Sequence, residues 1–341
     1  MIYKFFKNKV MTPSVSVIIP AYNVERYLPD AIQSVLSQTM QDWELVIADD
    51  CSSDRTLEIA KEFAERDQRI KVIRTDRQSG GPFIPRKKAV EAATSDLIAP
   101  FDADDRIAPD YLESLMEILC RNNVDAVFPV LHRWDGKDGF EVPEVTPQLM
   151  EKKIAGIKAV RYTLDGWHVH CGGGVIKKAL YQKGFADLED EEIIPFIDEM
   201  LSRIMLYYAG SVYFSYVPYL YRENPSSVTH SPIIKKLGFA VNPLIIEFIK
   251  NVYGKDSDEY RLAHRQNFHG IFDAMRIMNR RVYPKTAYYE EDKKIIRKCI
   301  LAMDRNVIKS TVSWKYYTLS CLPYGLWKKA LKYLDRIFNY S

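Results

Sequence analysis

Leu97-Ile98-Ala99-Pro100-Phe101-Asp102-Ala103-Asp104-Asp105 is the stretch on which the reading of this chain turns. A short apolar run of this kind fits a strand covered on both faces. It is closed at once by three carboxylates in four residues. Such carboxylates repel one another unless a cation or water screens them. Hard oxygen donors at this density suit Mg²⁺ or Mn²⁺, ions that also bind phosphate oxygens. On an isolated loop the same residues make a solvated turn or a helix N-cap ahead of Pro109. Position therefore has to choose between the two readings.

On both sides of this stretch the pattern alternates. Val15–Ile19 is an apolar run closed by Pro20, and residues 29–38 have helical spacing (Ile32, Val35, Leu36). Leu45–Ala48 is a second strand ending at Asp49-Asp50. Asp54 reads as the N-cap of a helix through Arg66. Ile70–Ile73 is a third strand, Ser79–Pro82 a loop, and 85–93 a helix. After the acidic run, Tyr111–Arg121 is helical and Ala126–Phe128 strand-like. This alternation implies an α/β fold with a mostly parallel sheet and helices on both faces. Ligands of such sheets bind beyond the carboxyl ends of the strands. Those ends carry Pro20, Tyr22 and Asn23, then Asp50, then Asp102 to Asp105, so polar and acidic groups converge on one edge. A ring such as Tyr22 can stack on a nucleobase, and a carboxylate can accept a base N–H.

Four ordered blocks resemble glycosyltransferase family 2. They are Val15 to Asn23, Ser34-Val35-Leu36-Ser37-Gln38-Thr39, Glu44 to Asp54, and Asp102 to Asp105. The resemblance implies a GT-A fold and inverting sugar transfer from a nucleotide-sugar, usually UDP-linked. Carried over by position, it implies that Pro20, Tyr22 and Asp50 hold the nucleobase and that Arg86 helps bind the nucleotide. Asp102 would lie near the ribose and Asp104 would bind Mn²⁺ or Mg²⁺, with Asp105 as the alternative ligand. The chain departs from the family where Cys51 replaces the usual glycine of an Asp-Asp-Gly-Ser block, and where Arg86-Lys87, preceded by Pro85, replaces Arg-Asn. Cys51 reads as a small turn residue rather than a nucleophile.

Residues 131–230 are less regular. Val175–Tyr181 reads as a strand and then a helix, Ile197–Tyr208 as a helix, and Val212–Tyr221 as a strand. By the resemblance, Cys171-Gly172-Gly173-Gly174, Asp198-Glu199 and Tyr221-Arg222 fall at further family positions. Glu199 is then the expected catalytic base, with Asp198 beside it. The chemistry needs one base, to take the acceptor hydroxyl proton as it attacks the anomeric carbon. The same two acids would also complement a helix N-terminus. His168, His170, Gly173 and Arg222 are candidates for acceptor or phosphate contact. The acidic run Glu189 to Glu192 reads as a solvated loop.

The division expected is a basic segment at 1–12, a nucleotide-sugar-binding half at 13–130, an acceptor half at 131–230 and a helical region at 231–341. The 341 residues are 47% hydrophobic and 27% charged, enough for a sizeable core. A net charge of +3 supplies no global field for nucleic acid. The charge is concentrated at the ends, with Lys4, Lys7 and Lys9 in the first twelve residues and seven Lys/Arg against Asp335 after residue 304. Leu326, Trp327, Leu331 and Leu334 with interleaved lysines resemble an interfacial helix facing an anionic membrane. Its alternative is a helix packed on the body. Five dispersed cysteines without a CxxC pair argue against a zinc site or a disulfide framework and fit a cytoplasmic protein. No signal peptide and no transmembrane helix is expected. The reading is thus an enzyme that adds a sugar to a glycan or lipid-linked acceptor of a surface polysaccharide. Its rivals are a non-catalytic glycan- or nucleotide-binding protein and a sugar nucleotidyltransferase. The latter is disfavoured because Pro20-Ala21-Tyr22-Asn23 stands where it needs a Gly-rich basic loop.

Overall fold

The structure, a computed structural model, describes residues 12–134, 140–141, 149–164, 172–189, 196–222, 239–279 and 288–311. The chain divides into two compact units. The first comprises Met1–Val160, His168–Glu191 and Leu201–Asn224, and the second Arg161–Trp167, Glu192–Met200 and Pro225–Ser341.

The first unit is built on one sheet. Its strands are β1 (Val15–Ala21), β2 (Trp43–Asp49), β3 (Ile70–Arg74), β4 (Leu97–Pro100), β5 (Arg106–Ile107), β6 (Ala126–Trp134), β7 (Phe140–Glu141), β8 (Lys152–Ile154), β9 (Val175–Lys177) and β10 (Val212–Arg222). The order is β3-β2-β1-β4-β9-β6-β10-β5, with β7 on β6 and β8 on β10. β1, β2, β3 and β4 are parallel, as are β6 and β10. The expected mostly parallel α/β sheet is therefore present, but β9 runs antiparallel between β4 and β6. β6 crosses position 130, so both expected halves contribute to the same sheet.

Covering both faces is what makes these strands apolar runs. Val15, Val17 and Ile19 of β1 pack with Leu28, Ala31, Ile32 and Val35 of α1 (Leu28–Leu36) and with Leu112 and Leu115 of α4 (Tyr111–Asn122). Ala60 of α2 (Thr56–Arg66) joins the same cluster. Ile18, on the opposite face of β1, is equally buried. That face takes α3 (Phe83–Ala92) and α6 (Lys178–Asp187), which meet edge-on through Phe83 and Phe185 at 5.5 Å. Burying such side chains stabilises the fold by roughly 1.5–3 kcal/mol each. The α2 N-cap is Arg55 rather than the expected Asp54. Asp54 stands one residue earlier and still accepts the Thr56 N–H at 2.9 Å, so it serves the same orphan donor from outside the helix.

Below the sheet's ligand edge, Glu44 of β2 joins three chain segments. It accepts from Ser16 Oγ at 2.6 Å, Lys71 Nζ at 2.8 Å and Thr94 Oγ1 at 2.7 Å, and from the Thr94 N–H. Burial alone would raise its carboxyl, but these bonds outweigh it and hold it at about 2.

The described part of the second unit is mainly helical. It includes the start of α7 (Ile197–Tyr208), α8 (Asn242–Tyr253), α9 (Asp258–Asn279), α10 (Tyr288–Leu301) and α11 (Arg305–Thr311). α5 (Gly156–Tyr162) and α7 each span the boundary. Phe239, Phe268, Ile271, Ile296, Cys299 and Ile308 form a core. His264 is fully buried there, and burial holds its imidazole at about 4 against the opposing charge of Asp304. Among the described residues no helix is long and apolar enough to cross a membrane. The basic segment at 1–11 and the aromatic–cationic stretch at 314–334 lie outside the described residues.

Two outcomes are expected. Because the folded Glu44 carboxyl sits below its ordinary value of 4.5, its contribution is full above that value and is lost as pH falls toward about 2. Urea titrations of Glu44→Gln should therefore show lower stability at neutral pH and a weaker loss between pH 5 and 3 than the parent. Gly174, which enters β9 at φ +111°, has Val127 O only 2.3 Å from where a Cβ would stand. Gly174→Ala should lower stability by more than about 2 kcal/mol in the same titrations, since conformation and space both forbid the methyl group.

Candidate active site

The register Ala21↔Asp49 puts the ends of β1 and β2 side by side. The two loops beyond them are stitched together. Asp50 N donates to Ala21 O at 2.8 Å, Asn23 N to Ser52 Oγ at 3.0 Å, and Ser53 N to Asn23 Oδ1 at 2.8 Å. Asn23 and Cys51 both adopt left-handed backbone, φ +51° and +59°. Asn tolerates that region, and glycine prefers it most. The family's usual glycine at the Cys51 position thus has a backbone cause. The Cys51 thiol is half-buried and donates to Thr75 O at 3.1 Å, which fits a turn residue.

Two residues expected at the donor also hold the loops around it. The Asn23 carboxamide oxygen is used to hold the Ser53 loop. Asp50 is only 2% exposed, and both its oxygens accept bonds, from Thr75 Oγ1 at 2.9 Å and from Ser79 N and Oγ at 2.9 and 2.8 Å. It anchors the Ser79-Gly80-Gly81 loop. Pro20 is buried within β1 and supplies backbone. Tyr22 is 42% exposed, so its ring is open for stacking.

The acidic loop leaves β4 and is held from two sides. Arg86 on α3 is almost completely buried, and its Nη2 lies 3.2 Å from Asp102 Oδ1. Asp102 is the exposed member of that pair. From β10, the Tyr219 hydroxyl accepts the Asp102 N–H at 3.0 Å. Burial, and then the charges of Asp105 and Asp102, push this hydroxyl well above its ordinary range, so it stays protonated. Its ring packs edge-on with Phe101 and Tyr111 at 6.0 and 6.2 Å.

Asp104 and Asp105 separate in role. Asp104 is half-buried at the loop surface. Asp105 is fully buried, and its Oδ1 accepts the Arg222 N–H at 2.8 Å. Burial first, and then the charges of Asp102 and Asp104, push its carboxyl well above the usual range. Metal ligation needs an ionised, accessible oxygen. In the ligand-free structure Asp105 braces the loop from inside, and Asp104 is its more accessible carboxylate.

The exit of the loop is secured by the Ser34–Thr39 block. Gln38 Nε2 donates to Ala108 O at 2.7 Å, Leu112 N donates to Gln38 Oε1 at 3.0 Å, and Thr39 N donates to Pro109 O at 2.8 Å. The Gly-rich segment is likewise structural. Gly173 is buried, and a Cβ there would stand 3.2 Å from Pro129 and 3.4 Å from the Tyr219 ring. Gly174 N donates to the buried Tyr111 hydroxyl at 2.9 Å. Gly173 thus packs beneath the Tyr219 ring.

Arg222, the other candidate of that kind, is 13% exposed and ion-paired to Asp30 Oδ2 at 2.9 Å. His168 and His170 lie outside the described residues. Asp198 and Glu199 lie in the second unit, half-buried in the first turn of α7. Glu199 N donates to Phe196 O at 3.0 Å. Tyr219, which binds the loop's first amide, was not singled out by sequence. Its one signal is an aromatic residue in an alternating strand.

Among the described residues no three His, Cys, Asp or Glu side chains gather as a metal-binding group. Mg²⁺ is usually held by one or two carboxylates and completed by phosphate oxygens and water. Asp104, with Asp102 beside it, fits that lean donor set.

Residues 16–185 match the family described as Glycosyl transferase family 2. The chain is 29% identical over 238 residues to the uncharacterized glycosyltransferase EpsJ of Bacillus subtilis, which is 65% of this chain and 64% of EpsJ. It is 25% identical to glycosyltransferase GlyG of Streptococcus pneumoniae over 64% of this chain and 73% of that protein. It is 31% identical over 131 residues to poly(ribitol-phosphate) beta-N-acetylglucosaminyltransferase TarS of Staphylococcus aureus, 38% of this chain and 22% of TarS. The matched stretch is thus less than two thirds of the length of EpsJ. The crystal structure of S. aureus TarS 1–349 shares the fold, with a TM-score of 0.65 at 20% identity, covering 93% of this chain and 87% of that one. TarS 1–349 has also been solved with UDP and with UDP-GlcNAc.

The left-handed turn at Cys51 gives a direct test. Cys51→Gly should raise stability by up to about 1 kcal/mol in urea titrations, and Cys51→Val should lower it, because a β-branched side chain suits that backbone least.

Proposed function

We propose that this chain, which belongs to glycosyltransferase family 2 through residues 16–185, moves one sugar from a UDP-sugar to a glycan or lipid-linked acceptor with inversion. The observation that carries the reading is the acidic loop at the end of β4, braced by Arg86 and Tyr219, with the exposed ring of Tyr22 just beyond the end of the neighbouring strand β1. The UDP and UDP-GlcNAc complexes of TarS support the donor class. The names of the relatives support a cell-surface glycan as product.

In this reading Tyr22 stacks on the base, and Asp102 lies toward the ribose, oriented by Arg86. Asp104 holds Mn²⁺ or Mg²⁺, an ion that neutralises charge on the diphosphate leaving group when bound. Glu199 takes the proton of the acceptor hydroxyl as its oxygen bonds to the anomeric carbon and the carbon–phosphate oxygen bond breaks. Asp198 is its neighbour in the same helical turn and the alternative base. The aromatic–cationic stretch at 314–334 supports a contact with the inner face of the plasma membrane, where lipid-linked acceptors reside.

UDP release should require Mn²⁺ or Mg²⁺. Glu199→Gln should cut the rate about 10²–10⁴-fold while UDP binding persists. Asp104→Asn should weaken UDP binding in the presence of Mn²⁺. UDP binding without turnover in the parent protein, across a panel of donors and acceptors, would replace this reading with a binding role. A response to GDP- or CMP-sugars alone would overturn the donor assignment.

A further inference from the structure

Arg222 ties together three distant parts of the first unit. Its backbone N–H donates to Asp105 Oδ1 at 2.8 Å, its Nε to the Asp104 carbonyl at 2.8 Å, and its Nη2 to Asp30 Oδ2 at 2.9 Å. Its guanidinium carbon lies 4.3 Å from the Trp134 ring centroid and 5.3 Å from that of Tyr27. A planar cation bounded by two rings and held by two acceptors in its own plane has its orientation set by all four. The side chain is only 13% exposed. The bond to Asp104 uses the main-chain oxygen. It therefore fixes the backbone that carries the carboxylate. Asp30, on the first turn of α1, is 54% exposed and is joined to the loop through this guanidinium.

We propose that Arg222 is a positioning residue for the donor site and that Asp30 aims it, which rests on the donor-site reading above. Arg222 sets the path of the Asp102–Asp105 backbone, and through it the direction of the Asp104 carboxylate. Groups that orient a metal ligand from outside the coordination shell are commonly worth about tenfold to a hundredfold in affinity. Lysine cannot substitute, because one ammonium on a flexible stem does not hold the Asp104 carbonyl and Asp30 at once while stacking on Trp134.

The test uses the full chain and two readouts. The first is hydrogen–deuterium exchange of a peptide covering residues 101–107 in the ligand-free protein. The second is UDP affinity by calorimetry with Mn²⁺. Arg222→Lys should speed exchange in that peptide and weaken UDP binding about tenfold or more. Asp30→Asn should do both to a lesser degree with little change in Tm, and the double variant should be no worse than Arg222→Lys alone. Asp30→Asn, at an exposed side chain, carries the test if Arg222→Lys fails to fold. Unchanged exchange in the variants, with the parent binding UDP, would overturn the positioning role and leave the donor reading standing. So would faster exchange with unchanged UDP affinity. A parent protein that binds no UDP would overturn the donor reading, and this inference with it.

Discussion

Three carboxylates within four residues at the rim of a sheet repel one another, and the protein has to offset that repulsion before any ligand arrives. It does so mainly from β10. The Tyr219 hydroxyl takes the Asp102 amide, the Arg222 amide takes Asp105, and the Arg222 guanidinium takes the Asp104 carbonyl. Arg86 adds a second buried cation from α3. Burial, and then the charges of Asp102 and Asp104, push the Asp105 carboxyl above its usual range. The architecture around it follows from this need. β10 must run parallel to β6 and reach past it, β5 must turn back onto β10, and the Gly172–Gly174 segment must be thin enough to pass under the Tyr219 ring.

Much of the fold is legible in the sequence for a definite reason. β1, β2 and β4 are covered on both faces, so they appear as unbroken apolar runs, and the helices between them keep a clean 3.6-residue spacing. The orientation of β9 is not legible. Val175-Ile176-Lys177 is too short to have a period, and its antiparallel placement depends on Gly174 and on pairing with both β4 and β6. The site is legible as a location more than as a set of roles. Tyr22, Arg86, Asp102 and Asp104 lie where strand order places them. Asn23 and Asp50 illustrate the ambiguity of short polar side chains, which serve turns and ligands equally well. Here both are used by the neighbouring loops. Gly173 is ambiguous in the same way, because a glycine gives no hint whether ligand or protein comes close.

Cys51 shows how a departure from a family pattern can be informative without being functional. The turn after β2 needs a left-handed residue to bring Asp50 back toward the Thr75–Ser79 segment. A cysteine there keeps the turn, at some conformational cost, and contributes one weak bond to Thr75 O. What this position requires is a backbone conformation, and the side chain is secondary.

The contacts from β10 to the acidic loop also bear on how the protein is made. Tyr219 and Arg222 lie 117 residues after the aspartates whose amide and carboxylate they bind. During synthesis, β1 to β4 leave the ribosome well before β10 exists. Local strand–helix units can collapse early, whereas contacts of such sequence separation carry a high loop-closure entropy and form late. The nascent sheet therefore carries its acidic rim without the Tyr219 and Arg222 braces until β10 arrives. Completion of the sheet and completion of the site become one event, so a chain halted before β10 emerges would have most of the sheet but an acidic loop lacking half of its supports.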